Sequence, residues 1–142
     1  MAISVERITP GNPVVVKGLE GASTQTFDAG DLVKFSAGYV VTATDGVIHG
    51  IARRDATGTQ STEIEVELID KNAVYSAKVG SGETHAQTMV GTIMDFTFTV
   101  AGEHYLSSSG GTDTLVVALD PRDAVGATQG RVYFKFQDTL QE

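Results

Sequence analysis

Cysteine and tryptophan are absent from the 142 residues, and proline occurs only three times. Without a thiol there can be no disulfide framework, thiolate zinc site, iron–sulfur cluster or cysteine nucleophile, and the chain suits oxidising and reducing surroundings equally. No run approaches the roughly 20 apolar residues that a membrane helix needs. The start, Met1-Ala2-Ile3-Ser4-Val5-Glu6-Arg7, lacks a basic stretch followed by an apolar one. No address is visible in it, and the expectation is a soluble chain with no membrane partner. Positive charge is also scarce: ten Lys and Arg stand against eighteen Asp and Glu, a formal net charge of −8. That balance opposes the counterion release by which proteins hold nucleic acid, so no nucleic-acid partner is expected. The acidity is uneven. Residues 1–54 hold five acids (Glu6, Glu20, Asp28, Asp31, Asp45) and five bases (Arg7, Lys17, Lys34, Arg53, Arg54), and the remainder carries the whole excess.

What is present is alternation. Glu63-Ile64-Glu65-Val66-Glu67-Leu68 changes from carboxylate to aliphatic at every step, and Arg131-Val132-Tyr133-Phe134-Lys135-Phe136-Gln137 places Val132, Phe134 and Phe136 on one face. A period of two marks strands with one buried and one solvated side. Further strands are expected over residues 14–17, 31–35, 39–44, 47–54, 74–79, 92–100 and 114–120, each rich in β-branched or aromatic residues and bounded by turn residues. Turns are expected at Ala29-Gly30-Asp31, Ser36-Ala37-Gly38, Asp45-Gly46, Gly80-Ser81-Gly82 and Ser109-Gly110-Gly111, where glycine admits positive φ. Asp45-Gly46 gives the strongest hairpin signal, joining residues 39–44 to 47–54. Residues 84–91 allow at most a turn or two of helix, and residues 55–62, with no apolar side chain above alanine, read as an exposed loop. The fold class is therefore all-β, a small sandwich or barrel with little or no helix. A chain of this length buries about two-thirds of its unfolded surface and needs no staple.

Thr9-Pro10-Gly11-Asn12-Pro13 breaks any regular element and imposes an extended path. Residues 1–13 thus read as an extended N-terminal arm before a β-domain at residues 14–142, which admits a subdivision into 14–82 and 83–142. Candidate partner-binding positions are the apolar residues of the arm and the segment after it: Ile3, Val5, Ile8, Val14, Val15 and Val16. Val14-Val15-Val16 either pairs inside the body or adds a strand to a partner's sheet edge, and both readings stay open.

Little in the sequence points to reaction chemistry. His49, His85 and His104 are far apart and lack metal-motif spacing, so no metal and no cofactor is expected. His49 falls in an expected strand, on the face with Val47 and Ile51. Ser107-Ser108-Ser109 has no strand, elbow and helix around it that would expose a nucleophile. Glu63, Glu65 and Glu67 stand about 7 Å apart on one strand face. Acid and base catalysis by a carboxyl pair needs two contrasting environments, which a solvated row does not supply. Gly18-Leu19-Glu20-Gly21-Ala22 and Gly126-Ala127-Thr128-Gln129-Gly130 match no phosphate-cradling pattern and read as turns. The expectation is a protein that is not an enzyme and has no catalytic residues.

Two stretches carry a family likeness. Phe27-Asp28-Ala29-Gly30-Asp31-Leu32-Val33-Lys34-Phe35, then Gly38-Tyr39-Val40-Val41 and Val47-Ile48-His49-Gly50-Ile51-Ala52-Arg53-Arg54, form the first. Met89-Val90-Gly91-Thr92, Tyr105-Leu106, Leu119-Asp120-Pro121-Arg122-Asp123-Ala124-Val125-Gly126 and Gly130-Arg131-Val132-Tyr133-Phe134 form the second. Together they span most of residues 27–136, and the second is the more specific. The pattern resembles the decoration, or cement, proteins of tailed-bacteriophage heads, with their β-tulip-like domain. In the second stretch Asp120-Pro121 is expected to start a turn, Arg122 and Asp123 to pair locally, and Gly126 and Gly130 to bracket a loop. The resemblance implies a homotrimer on the outer surface of the virion capsid, at local three-fold positions, clamping subunits of the major capsid protein by avidity. Alternatives are another virion structural β-domain of a tail, fibre or adhesin, and a small carbohydrate-binding barrel using Tyr39, Tyr75, Tyr105 or Tyr133 as stacking platforms.

Overall fold

The computed structural model describes residues 4–21, 25–44, 47–80, 82–98, 101–107 and 113–137. Ile3, Asp45-Gly46, Ser81 and Ser108 through Gly111 lie outside them. Among the described residues the chain forms eleven strands: β1 (Val5–Arg7), β2 (Val15–Leu19), β3 (Leu32–Ser36), β4 (Tyr39–Thr42), β5 (Gly50–Ala52), β6 (Glu63–Leu68), β7 (Tyr75–Lys78), β8 (Ile93–Thr97), β9 (Tyr105–Ser107), β10 (Thr114–Leu119) and β11 (Arg131–Phe136). They build two open antiparallel sheets, one in the order β2-β6-β5-β3-β4 and the other in the order β1-β7-β11-β10-β8-β9. The architecture is that of a small β-sandwich, and the expected all-β class is what the chain adopts.

Each sheet bends strongly. In the five-stranded sheet the end of β2 touches β4, with the Gly21 N–H on the Val40 carbonyl at 2.9 Å and a parallel bridge between Glu20 and Val40. In the six-stranded sheet the Gly80 N–H reaches the Leu106 carbonyl at 2.8 Å beside a bridge between Val79 and Leu106. Two cores result. One lies inside the bend of the five-stranded sheet and contains Phe27, Val33, Val40, Ala52, Ile64 and Val66. The larger joins the two sheets and gathers Leu32, Ile48 and Ile51 with Tyr75, Phe96, Val132, Phe134 and Phe136. Neighbours Leu32 and Val33 thus enter different cores, as do Ile51 and Ala52, because successive strand residues point to opposite faces and this sheet is covered on both. The alternation read in β11 is realised, with Val132, Phe134 and Phe136 buried among stacked and edge-on rings.

Several expectations need correction. The N-terminal segment is extended, yet from Ser4 onward it belongs to the body: β1 pairs with β7, Val5 opposite Ala77, and the Ile8 N–H bonds the Val74 carbonyl at 2.8 Å. On either side of residues 45–46, which lie outside the described residues, Thr44 and Val47 form an antiparallel bridge as the expected hairpin requires, but the pairing goes no further among the described residues, and β5 pairs with β3 and β6. His49 does not share a face with Ile51, because residues 48–49 leave strand geometry, and it is Ile48 that enters the core with Ile51. Gly18 is no turn. It sits in mid-strand because a Cβ there would lie 2.6 Å from Val40 Cγ2, so only glycine lets β2 approach β4 this closely. Residues 84–91 hold one 3-10 turn, Gln87–Met89, within the turn or two of helix expected there. The chain passes from one sheet to the other between Leu68 and Tyr75, ahead of the subdivision read at residue 82, and β1 joins the later strands.

Candidate functional site

The polar groups with the most chemical potential are engaged inside the body. Ser4, Asp31 and His104 are fully buried and adjacent, an assortment that invites comparison with a nucleophile triad. Atom by atom the comparison fails. Ser4 Oγ donates to Asp31 Oδ1 at 2.6 Å and accepts the His104 backbone N–H at 3.2 Å, so serine never faces imidazole. His104 Nδ1 accepts the Leu32 N–H at 3.0 Å, which places the ring proton on Nε2, 3.8 Å from Asp31 Oδ2. Burial pushes the imidazole pKa down, against the pull of Asp31. Asp31 Oδ2 also accepts the backbone N–H groups of Asp28 and Gly102. The cluster ties the N-terminal strand, the turn before β3 and the segment before β9 into one knot.

The motif that closes the chain folds as two ion-pair clamps, in place of the local Arg122–Asp123 pair expected. A turn carries the Asp123 N–H back to the Asp120 carbonyl at 3.2 Å. Buried Asp120 then accepts from Arg122 Nε at 3.0 Å and from Ser76 Oγ at 2.8 Å, while Arg122 Nη1 extends to Glu6 of β1 at 3.2 Å. Burial alone would raise the Asp120 carboxyl, but the Arg122 guanidinium and N–H and the Ser76 hydroxyl outweigh it and hold it well below the usual carboxylate range. Asp123 accepts from Arg131 through both its backbone N–H at 2.7 Å and Nε at 2.8 Å, and this guanidinium pulls its carboxyl down. The loop between the clamps lies on buried His85, whose ring nitrogens face the carbonyls of Ala124 at 3.0 Å and Arg131 at 2.9 Å. A Cβ on Gly130 would sit 2.5 Å from the His85 ring, which is why glycine stands there.

The loop at residues 55–62 is exposed but anchored. The carboxylate of Glu20, fully buried, accepts the N–H and hydroxyl of Thr57 and the N–H of Gly58. The Glu63 and Glu67 carboxylates pair with Lys17 at 3.3 Å and Arg53 at 3.2 Å. His49 accepts the Phe35 N–H at Nδ1 and stacks on the Phe35 ring, and burial, with Lys34 nearby, lowers its pKa. Tyr75 is wholly buried and offers no stacking platform, while Tyr39, Tyr105 and Tyr133 are half-buried. Among the described residues no three His, Asp or Glu side chains stand together as metal ligands do.

The remaining candidate is a sheet edge. In the ladder of β2 with β6, Val15 faces Glu67 and Leu19 faces Glu63, while the Val14 carbonyl accepts the Leu68 N–H and the Glu20 N–H reaches the Thr62 carbonyl, each at 2.8 Å. In an antiparallel ladder such bonds fall on alternate residues. Residues 14, 16, 18 and 20 therefore bond inward, and the N–H and C=O groups of Val15 and Lys17 point away from the sheet, whereas from Leu19 onward the edge meets β4 through the bridge between Glu20 and Val40. Among the described residues the other edges are touched at single points: Gly30 takes the Val5 N–H of β1, Gly21, at the end of β2, and Gln25 reach Val40 and Thr42 of β4, and Gly80 reaches Leu106 of β9. Beside the open edge, Val14 is 62% exposed, Val15 37% and Leu19 42%.

The predicted partner-binding residues consequently separate. Ile3 lies outside the described residues. Val5 is buried and Ile8 half-buried, both in the six-stranded sheet's edge, so Val5 is withdrawn from any partner by its own packing. Val14 and Val15 stand at the open edge of the other sheet, and Val16 turns toward the inner core. Lys17 belongs with Val15, and the reading of Gly18 as a turn hides it in the sequence. Comparison of the chain with protein-family models, with curated proteins and with solved structures finds no match.

Proposed function

We propose that this chain is a bacteriophage capsid decoration protein that sits as a homotrimer on the outer surface of the icosahedral head and reinforces contacts between major-capsid subunits. The observation that carries the reading is the edge of β2 at Val15 and Lys17, which has no main-chain partner among the described residues and is bordered by exposed Val14 and Val15. Sheet edges left open on a folded body are sites of strand addition, where main-chain hydrogen bonds supply affinity without a pocket. The second support is the clamped loop formed by Asp120, Arg122, Asp123 and Arg131, the residues of the more specific sequence likeness, which ties β10 to β11 in the six-stranded sheet. A rigid trimer turns three modest contacts into avidity, since release requires all of them to open together. A binding role also accords with Ser4, Asp31 and His104, which are buried away from solvent with the serine hydroxyl bonded to the aspartate and not to the imidazole.

The test is to measure the mass of the purified protein in solution and to image it with expanded and unexpanded empty capsid shells. A trimer retained on expanded shells is the expected result. A monomer that binds neither shell would overturn the proposal.

A further inference from the structure

Two imidazoles from different segments hold the same strand. His104, just before β9, accepts the Leu32 N–H at Nδ1 at 3.0 Å, and His49, just before β5, accepts the Phe35 N–H at Nδ1 at 2.9 Å. Both donors belong to β3, at places where its ladders stop: pairing with β4 ends at Val33 opposite Thr42, and pairing with β5 runs only over Leu32 and Val33. The rings stand in for absent strand partners. A ring nitrogen accepts an N–H through its lone pair, so each of these bonds exists only while its ring is uncharged. Proton uptake at Nδ1 sets N–H against N–H. His85 is built the opposite way, with both ring nitrogens facing carbonyls, so a second proton would cost it no bond.

We propose that β3 carries an acid-release device, in which protonation of His104 and His49 in mildly acidic solution strips the strand of two main-chain bonds and loosens the whole body. His104 is the stronger arm. Its side chain is 1% exposed, Nδ1 faces the Leu32 N–H, and Nε2 has no hydrogen-bond partner among the described residues. A doubly protonated ring would therefore bury two unsatisfied N–H groups. The Phe98 ring lies edge-on at 5.3 Å, and the charged group facing the imidazole is Asp31, 3.8 Å from Nε2. The Asp31 oxygens are already taken by Ser4 Oγ and by the N–H groups of Asp28 and Gly102. Burial pushes the His104 pKa down and outweighs the attraction of Asp31. His49, half-buried and stacked on Phe35, is faced by Lys34, and burial and that ammonium both lower its pKa. Each ring thus binds a proton more weakly in the folded chain than in the unfolded one. The stability they lend is complete above the ordinary imidazole value of about 6.5 and is lost as pH falls below it. That window lies above the carboxylate range. β3 spreads the loss, because Leu32 enters the shared core and Val33 the inner one, and the bond from Leu32 to His104 ties one sheet to a segment of the other.

The experiment follows urea denaturation of the full chain at pH 7.5 and pH 5.5, together with NMR of the imidazole nitrogens at pH 7.5. Both rings are expected to carry a single proton, on Nε2, with Nδ1 hydrogen-bonded. Between the two pH values the ratio of unfolded to folded chain in water should rise by up to about tenfold for each ring. His104→Asn and His49→Asn each put an amide oxygen where Nδ1 stands and remove the titration. Each variant, although less stable at pH 7.5, should lose less stability on acidification than the wild-type protein does. Where His104→Asn fails to fold, His49→Asn and the wild-type tautomers still decide. Either ring protonated at Nδ1 at pH 7.5, a wild-type midpoint that is the same at both pH values, or variants that lose as much as the wild type would overturn the inference. None of these readouts depends on what the body binds.

Discussion

At the scale of single residues, stability is concentrated in a few buried polar atoms. Asp120 is the clearest case, a fully buried carboxylate held by Arg122 and Ser76. Its depressed pKa gives the sign of a pH effect. The unfolded chain takes up the proton near pH 4 and the folded one only at lower pH, so the stabilisation is complete above about pH 4 and lost as pH falls below it. Asp120→Asn should therefore cost about 1–3 kcal/mol at pH 7, leaving Arg122 and Ser76 underbonded, and about 1 kcal/mol less at pH 3, where the unfolded chain but not the folded one has taken up the proton. Urea denaturation of both proteins at the two pH values reads the difference, and a penalty that is equal at both would show that the charge is not what matters. None of this was legible in the sequence. Asp120, Arg122, Asp123 and Arg131 stand out there as a cluster, but neighbours in sequence suggested the pair Arg122 and Asp123, whereas the turn at residues 120–123 brings each acid to a different base.

At the scale of elements, strands with a polar and an apolar face were read correctly, β6 and β11 almost to the residue. Failures occurred where period two is absent or too short to register. β9 spans three residues, Tyr105–Ser107, and was missed as a strand. β5 falls inside the strand expected over residues 47–54 but spans only three residues, all buried because it is covered on both sides. β1 was taken for part of an arm since the two prolines after it announce a break, while Val5, Glu6 and Arg7 before them offer too few alternations to count. What holds β1 is tertiary: Val5 in the shared core, Ser4 on Asp31, Glu6 on Arg122. Deleting residues 1–9 should therefore do more than remove an arm. Loss of the buried Val5 side chain alone costs about 1.5–3 kcal/mol, and the deletion also bares the edge of β7. The truncated protein should unfold at distinctly lower urea than the full chain and aggregate more readily. Unchanged stability would return this segment to the status of an arm.

At the scale of the molecule, the question is whether two bent sheets with two cores behave as one body. Residues alternate between the cores along β3 and β5, Leu32 and Ile51 entering the shared core while Val33 and Ala52 enter the inner one. Unfolding the shared core thus displaces the backbone on which the inner core is built, and the Ser4, Asp31 and His104 knot fastens the same strands from a third direction. A single cooperative transition is the physical consequence. Ile64→Ala in the inner core should cost about 2–5 kcal/mol and Phe134→Ala in the shared core about 3–5 kcal/mol. If the coupling is as tight as the alternation requires, each substitution lowers the denaturation midpoint equally for amide signals in β6 and in β11, one strand from each sheet. Such coupling also suits a body that resists being pulled at one edge, since load applied at β2 passes through β6 and β5 into the shared core. Midpoints that separate between the two strands, with Ile64→Ala moving only β6, would show instead that the five-stranded sheet can open by itself.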